Sequence, residues 1–451
     1  MNKYQSYKPS SVEWVGDIPN SWEETRLKYI GNLYGGLTGK SGEDFKQDDN
    51  PNNKPYIPYT NIFRNTYISK NHVDYVVLKD GENQNKVQKF DLFFLMSSET
   101  YQDLGKPCIL IEDIEELYLN SFCKGFRVNR IDVNPLFLNY QLLGSIHKEL
   151  ISIEGRGFTR INLRQDRLNE TPIFLPPLQE QLQIVQFLDE KTELIDKLIS
   201  TKERKITLLK EQRTSLINKV VTKGLNPNVK MKDCGVEWIG EIPEEWKKGR
   251  LKHFLFTKPD NGLFKKKDDF GSGVRFVNVS DLFNQNNKID IEKLDRVDVS
   301  SDELKKSRLT NGDIFFVRSS LKLEGIGVSS IIENIEEDIV FDCHIIRIKP
   351  DRVKILPKYL ITLLNSFSYR NYLVSVSESV TMTTISQDKI KDIVFHLPPL
   401  TEQNQIVEYL DYKTKEIDDM VQLEQKKIDL LKEYRKSLIS EVVTGKIKVT
   451  N

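Results

Sequence analysis

The residues in this chain whose types could do chemistry are mostly basic or hydroxylic, and they fall in short stretches. EGRGFTRINLRQDR carries Arg156, Arg160, Arg164 and Arg167 around two glycines that predict a loop. A guanidinium presents a planar fork of donors, which suits clamping a phosphate or binding guanine O6 and N7 together. A solvated basic loop would have the same composition. Further along, ESVTMTTISQDKIK offers Thr381, Thr383, Thr384, Lys389 and Lys391 in place of the arginines. NGLFKKKDDFG sets Lys265, Lys266 and Lys267 in what reads as a phosphate-binding loop, although Asp268 and Asp269 cancel part of its field. Ser97 and Ser98, and likewise Arg318, Ser319 and Ser320, follow apolar FF-containing runs, where short polar groups could reach a ligand or simply turn the chain.

Catalytic constellations are not evident. YGGLTGKS (34–41) lacks the first glycine of a phosphate-binding loop, because Tyr34 stands there, and it has no equivalent later in the chain. Both Pro-Pro pairs lie in LPPL, outside any NPPY-type or DPPY-type motif, and no His/Cys/Asp cluster supports hydrolysis or a metal. Cys108, Cys123, Cys234 and Cys343 are scattered, without CxxC spacing, and read as reduced structural thiols. The expectation is a chain with no catalytic site, metal or cofactor of its own.

The chain must position these groups with more than one core, since 451 residues exceed what a single domain usually holds. With 38% hydrophobic and 29% charged residues it reads as globular. It has no apolar run of membrane-spanning length and no secretory-type start, so a cytoplasmic protein is expected. The 66 basic and 66 acidic residues cancel, so any face for a polyanion has to be local.

Internal repetition organises the rest. VEWVGDIPNSWEETRLKYI (12–30) recurs as VEWIGEIPEEWKKGRLKHF (236–254), with 10 of 19 positions identical. The stretch from Leu175 to Thr222 recurs from Leu397 to Thr444 at an offset of 222, with 28 of 48 positions identical. Between these blocks only a skeleton agrees: YIPYTNIF with RFVNVSDLF, FDLFFLMSS with GDIFFVRSS, and RQDRL with SQDKI. Runs such as DLFFLM, CILI, DIFFVR and IVFDCHIIRI predict strands, whereas NPLFLNYQLLGSIHKELI and LPKYLITLLNSFSYRNYLV predict helices opening at proline. Trp14, Trp22, Trp238 and Trp246 sit in the repeated block and are expected to pack the scaffold.

Each LPPL predicts a break before a long helix. In the first, Leu188, Thr192, Ile195, Ile199, Lys202, Ile206, Leu209, Arg213, Leu216 and Val220 follow the 4-3 spacing of a coiled-coil seam. In the second, Leu410, Thr414, Ile417, Val421, Glu424, Ile428, Leu431, Arg435, Leu438 and Val442 repeat it, with polar residues at the same three places. Such a seam needs a partner, and the repeat itself is the nearest one; the bland alternative is a surface helix packed on its own body. An antiparallel pair would bring Lys202 near Glu424 as a polar lock on register, unless both charges only snorkel outward.

The motifs VEWxGxIPxxW with RLK, and LPPLxEQxxIVxxLDxKTxxID, each present twice in alternation over nearly the whole chain, resemble the type I restriction-modification specificity subunit. The resemblance implies an α+β fold. Two similar α/β target-recognition domains (1–174 and 226–396) would be separated by two spacer helices (175–225 and 397–451) forming an antiparallel coiled coil, a pseudo-twofold internal repeat. It implies that each domain reads half of a bipartite double-stranded DNA site, with helix length setting the unread spacer. It also implies two methyltransferase subunits using S-adenosylmethionine and two ATP- and Mg-dependent translocase-nuclease subunits as partners. The competing reading is a non-catalytic coiled-coil scaffold whose paired domains bind proteins.

Overall fold

The computed structural model describes residues 3–449, apart from 46–48, 80, 285, 380 and 381. The chain forms two compact units: Met1–Glu203 with Lys426–Asn451, and Arg204–Gln425. Both boundaries fall inside long helices, which run Leu178–Lys223 and Leu400–Val443. Each unit therefore takes part of each helix.

The first unit is built on a five-stranded sheet ordered Gly31–Gly35, Cys123–Val128, Leu92–Leu95, Pro107–Leu110 and Tyr67–Ile68. Its neighbours are antiparallel except the last pair. Side chains alternate across a strand, and the FDLFFLM run fills a core on each face. Leu92 and Phe94 join one cluster, Phe93 and Leu95 the other. The second unit repeats the device, with Ile314 and Phe316 on one side and Phe315 and Val317 on the other, in a four-stranded sheet. This is the mixed helix and sheet architecture expected.

The two conserved blocks meet within each unit. Glu23–Arg26 pairs antiparallel with Pro172–Leu175, and Lys247–Arg250 with Val394–Leu397, so the strand before each LPPL is fixed by the one after each tryptophan motif. Trp22 Nε1 donates to Glu180 at 3.3 Å and Trp246 Nε1 to Glu402 at 3.2 Å. The adjacent glutamine bridges the proline turn to the body: Gln181 Nε2 donates to the carbonyls of Pro176 and Asp132 while its Oε1 accepts from Asn134 N. Gln403 does the same between Pro398 and Leu356. Trp22, Trp246 and Trp238 pack as expected, but Trp14 is exposed.

Two predicted helices are each broken in two, into Pro135–Leu143 with Ser145–Ser152 and Pro357–Leu364 with Phe367–Ser375. Asn134 caps the first, accepting from Leu136 N and Phe137 N, with Pro135 at the position where no amide is needed. The break at Gly144 has a packing cause. A Cβ there would lie 3.2 Å from Val443 Cγ2 on the second long helix.

Every predicted seam position on both long helices is buried or half-buried. Within the second unit, Lys205 pairs with Glu424 at 2.9 Å and Arg213 with Asp418 at 3.0 Å, so the two helical segments run antiparallel there. Within the first unit, Arg435 Nε lies 3.1 Å from Asp196, which is the Arg213–Asp418 pair with each partner displaced by 222 residues. The polar arginine positions of the seam are thus paired ones. Glu424 is buried, and Lys205 is a partner that the heptad spacing did not single out. Leu438, Ile439, Val442 and Val443 complete the core of the first unit, as Val220 and Val221 contribute to that of the second.

His147 is fully buried, its Nε2 2.9 Å from the Pro172 carbonyl, and burial pushes its imidazole down to about 4. The unfolded chain, with a pKa of about 6.5, binds this proton first. Stability should therefore fall as pH drops from about 6.5 to about 4, by about 3 kcal/mol. The variant His147→Gln, which keeps a donor for Pro172, is expected to flatten that slope in denaturant melts at pH 7 and pH 5. Glu424→Lys, which sets a cation beside Lys205, should cost about 3 kcal/mol in the same melts, and adding Lys205→Glu should recover part of it.

Candidate nucleic-acid interface

In the first unit the arginine stretch is an anchored hairpin. Ile161–Asn162 pairs antiparallel with Ser97–Ser98, and Arg156 and Asn162 exchange both backbone hydrogen bonds, at 3.0 and 2.9 Å. Ile161 and Leu163 are buried and pin the ladder. Gly157 turns the chain at φ +136°, where a Cβ would lie 2.0 Å from the Arg160 carbonyl oxygen, so only glycine fits.

The four arginines are all exposed, but they are not equivalent. Arg164 forms a two-point bond with Asp166, at 3.0 and 2.8 Å, and Arg167 lies 3.6 Å from Glu154. These two are charge-compensated at the base of the hairpin. Arg156 donates from Nη1 to the carbonyls of Ile153 and Gly155, which stiffens the turn without neutralising the charge. Arg160 lies over the exposed ring of Phe122, 5.3 Å from its centroid. Net positive charge therefore rests on Arg156 and Arg160.

Ser97 and Ser98 correct the sequence expectation. Both are buried, because the FF strand runs on into the ladder instead of ending in an open turn. They support the hairpin and do not present hydroxyls to solvent. Phe122, Phe158 and Tyr101, all exposed aromatics, were not singled out from sequence. The signal available was Phe158 inside GRGFTR.

The second unit places its candidates on an equivalent ladder. Ser319–Ser320 pairs antiparallel with Thr383–Thr384, which also pairs with Glu378–Ser379. Arg318 and Thr384 are exposed, Ser319 and Ser320 half-buried, and Thr383 is buried by the ladder, again contrary to expectation. Lys389 is exposed, and Lys391 is held by Asp388 at 2.6 Å. Thr381 lies outside the described residues.

The lysine run does not join this ladder, because it leads into Phe270–Val277 of the three-stranded sheet. Lys265 is a further correction: it pairs with Glu303 at 3.0 Å, its side chain only 9% exposed. Lys266 and Lys267 stay exposed.

Other chemistry finds no support at these positions. Lys40 of YGGLTGKS is ion-paired to Glu82 and donates to the Val77 carbonyl. Asp342, Cys343 and His344 do bring ligand-type atoms within 4.8 Å of one another, a gathering the spacing reading overlooked. Burial and the Asp342 charge push the Cys343 thiol up, and Asp342 accepts from His344 N at 2.7 Å. Among the described residues no helix is long and apolar enough to cross a membrane.

The profile of the type I restriction modification DNA specificity domain matches this chain twice, over residues 19–208 and 243–433. The chain belongs to that family. The EcoKI type I restriction enzyme specificity subunit of Escherichia coli K12 is 23% identical, covering 87% of this chain and 82% of its own length. The MjaVIII specificity subunit of Methanocaldococcus jannaschii is 24% identical over 96% and 95%. A chain solved in a study of complex assembly and conformational transition of the type I R-M system shares the fold, with a TM-score of 0.73, 15% identity and coverage of 95% and 99%. Each family match includes one ladder with its long-helix segment.

Arg156→Ala and Arg160→Ala are each expected to weaken duplex binding and to lower the slope of log affinity against log salt by about 1. Arg164→Ala, whose charge Asp166 already offsets, should change either quantity less. Fluorescence anisotropy at several salt concentrations reads all three.

Proposed function

We propose that this chain is the sequence-reading subunit of a type I restriction-modification complex, each unit binding one half of a bipartite double-stranded DNA site. The observation that carries this reading is the pair of ladders. They share strand pairing and place in the fold, yet one bears Arg156 and Arg160 beside aromatics and the other Arg318 and Thr384, with Lys389 on the short helix that follows. Equal scaffolds with unequal side chains suit two different half-sites. Phosphate and guanine edges favour the first set; hydroxyls can address either edge of a base pair.

The long helices serve as the ruler in this reading. The first has 46 residues, about 69 Å at the usual rise, and the Lys205–Glu424 and Arg213–Asp418 pairs fix the register of its segment in the second unit. Their outer faces keep large apolar side chains in solvent: Leu194 and Leu198 on the first helix, Tyr412, Met420 and Leu423 on the second. Exposed apolar side chains on these helical segments fit docking of two methyltransferase subunits. Methylation with S-adenosylmethionine, and ATP- and Mg-driven translocation and cleavage by two further subunits, then belong to the partners, all in the cytoplasm.

The test is binding by the purified complex of this chain with its methyltransferase partners. Affinity for duplex should fall steeply as log salt rises, since phosphate contacts release counterions. Mapping modified adenines in cells expressing the chain should return one split sequence with a fixed gap. A complex that holds no duplex at low salt would overturn the proposal in favour of a protein-binding scaffold.

A further inference from the structure

Phe158 stands in solvent. Its relative exposure is 105%, the largest of any bulky apolar residue among those described, and it lies between Arg156 and Arg160 at the tip of the anchored hairpin. Lone exposed apolar residues are common and mean little. Three features set this one apart. The Arg156–Asn162 bridge, the Gly157 turn and the two Arg156 bonds to Ile153 and Gly155 carbonyls hold the tip in one shape, so an aromatic ring is presented on a stiff support. The flanking guanidiniums supply positive charge on both sides of it. Beside them Phe122 is 53% exposed and carries Arg160 on its face, which adds a second aromatic surface to the same tip.

From this juxtaposition we infer that Phe158 is a wedge, which enters between two neighbouring base pairs of the half-site bound by the first unit while Arg156 and Arg160 hold the phosphates alongside. The inference rests on the reading of this unit as DNA-binding and adds a mode of contact to it. An apolar ring driven into a base step pays for unstacking with new stacking and with closer approach of the backbone to the basic tip. The step it enters is therefore selected by how readily it opens, and pyrimidine–purine steps open most readily. Recognition at that position comes from deformability, with no donor or acceptor on the ring. The position related by the repeat, residue 380, lies outside the described residues.

The experiment uses the full chain with its methyltransferase partners and a duplex carrying the mapped site. 2-Aminopurine is placed in turn at each step of the half-site, other than at the methylated adenine. The wild-type complex should raise fluorescence at one step and bind more tightly when that step carries a mismatch. Phe158→Ala should lose both effects and bind about ten-fold more weakly. Phe158→Leu, which keeps an apolar wedge, should retain the fluorescence rise. Duplex binding with no rise at any step, or a rise that survives Phe158→Ala, overturns the wedge while leaving the functional reading intact. Failure to bind any duplex overturns both.

Discussion

Much of the structure depends on one buried junction, formed twice, where a proline turn is tied to its body. Gln181 and Gln403 each satisfy backbone groups that the Pro-Pro sequence would otherwise leave unpaired, and Glu180 and Glu402 each take an indole N–H from the tryptophan motif far earlier in the chain. Proline supplies no amide donor, and a carbonyl buried without one costs about 1–3 kcal/mol. The side-chain amide of glutamine, donor and acceptor at once, closes that deficit from inside the first turn of the helix. The direction in which each long helix leaves its body is set at this contact.

Much of the frame is readable in one dimension because its elements are regular. The 4-3 spacing named seam positions that are all withdrawn from solvent, because a helix 44 or 46 residues long has one geometry and repeats its errors and successes every turn. The FF strands were equally plain, being apolar on both faces. Local breaks were less so. Gly144 interrupts a helix because another helix packs close at that point, and its partner is 299 residues away in sequence, at Val443.

The binding surface was the least legible part. Ser97 and Ser98 look like turn residues in sequence and Thr383 like an open hydroxyl, yet ladder pairing across more than sixty residues buries them. Lys265 looks free until Glu303 reaches it. Arginines alike in type separate into compensated and uncompensated pairs only once Asp166 and Glu154 are in place. Periodicity reports on burial against regular elements, and it has little to say about irregular loops whose contacts come from elsewhere. The exposure of Phe122, Phe158 and Tyr101 around the hairpin depends on such contacts as well.

The C-terminal end of the second long helix packs Leu438, Ile439, Val442 and Val443 into the core that begins at Val15, and Gly445 turns against Pro19 with a left-handed φ of +71°. The second unit, by contrast, is contiguous from Arg204 to Gln425. A ribosome making this protein releases the pieces in an awkward order. Domains made first usually close first, but here the N-terminal body has to wait, with part of its apolar surface uncovered, until residues 438–443 have been made. The unit translated second is the first that can finish folding.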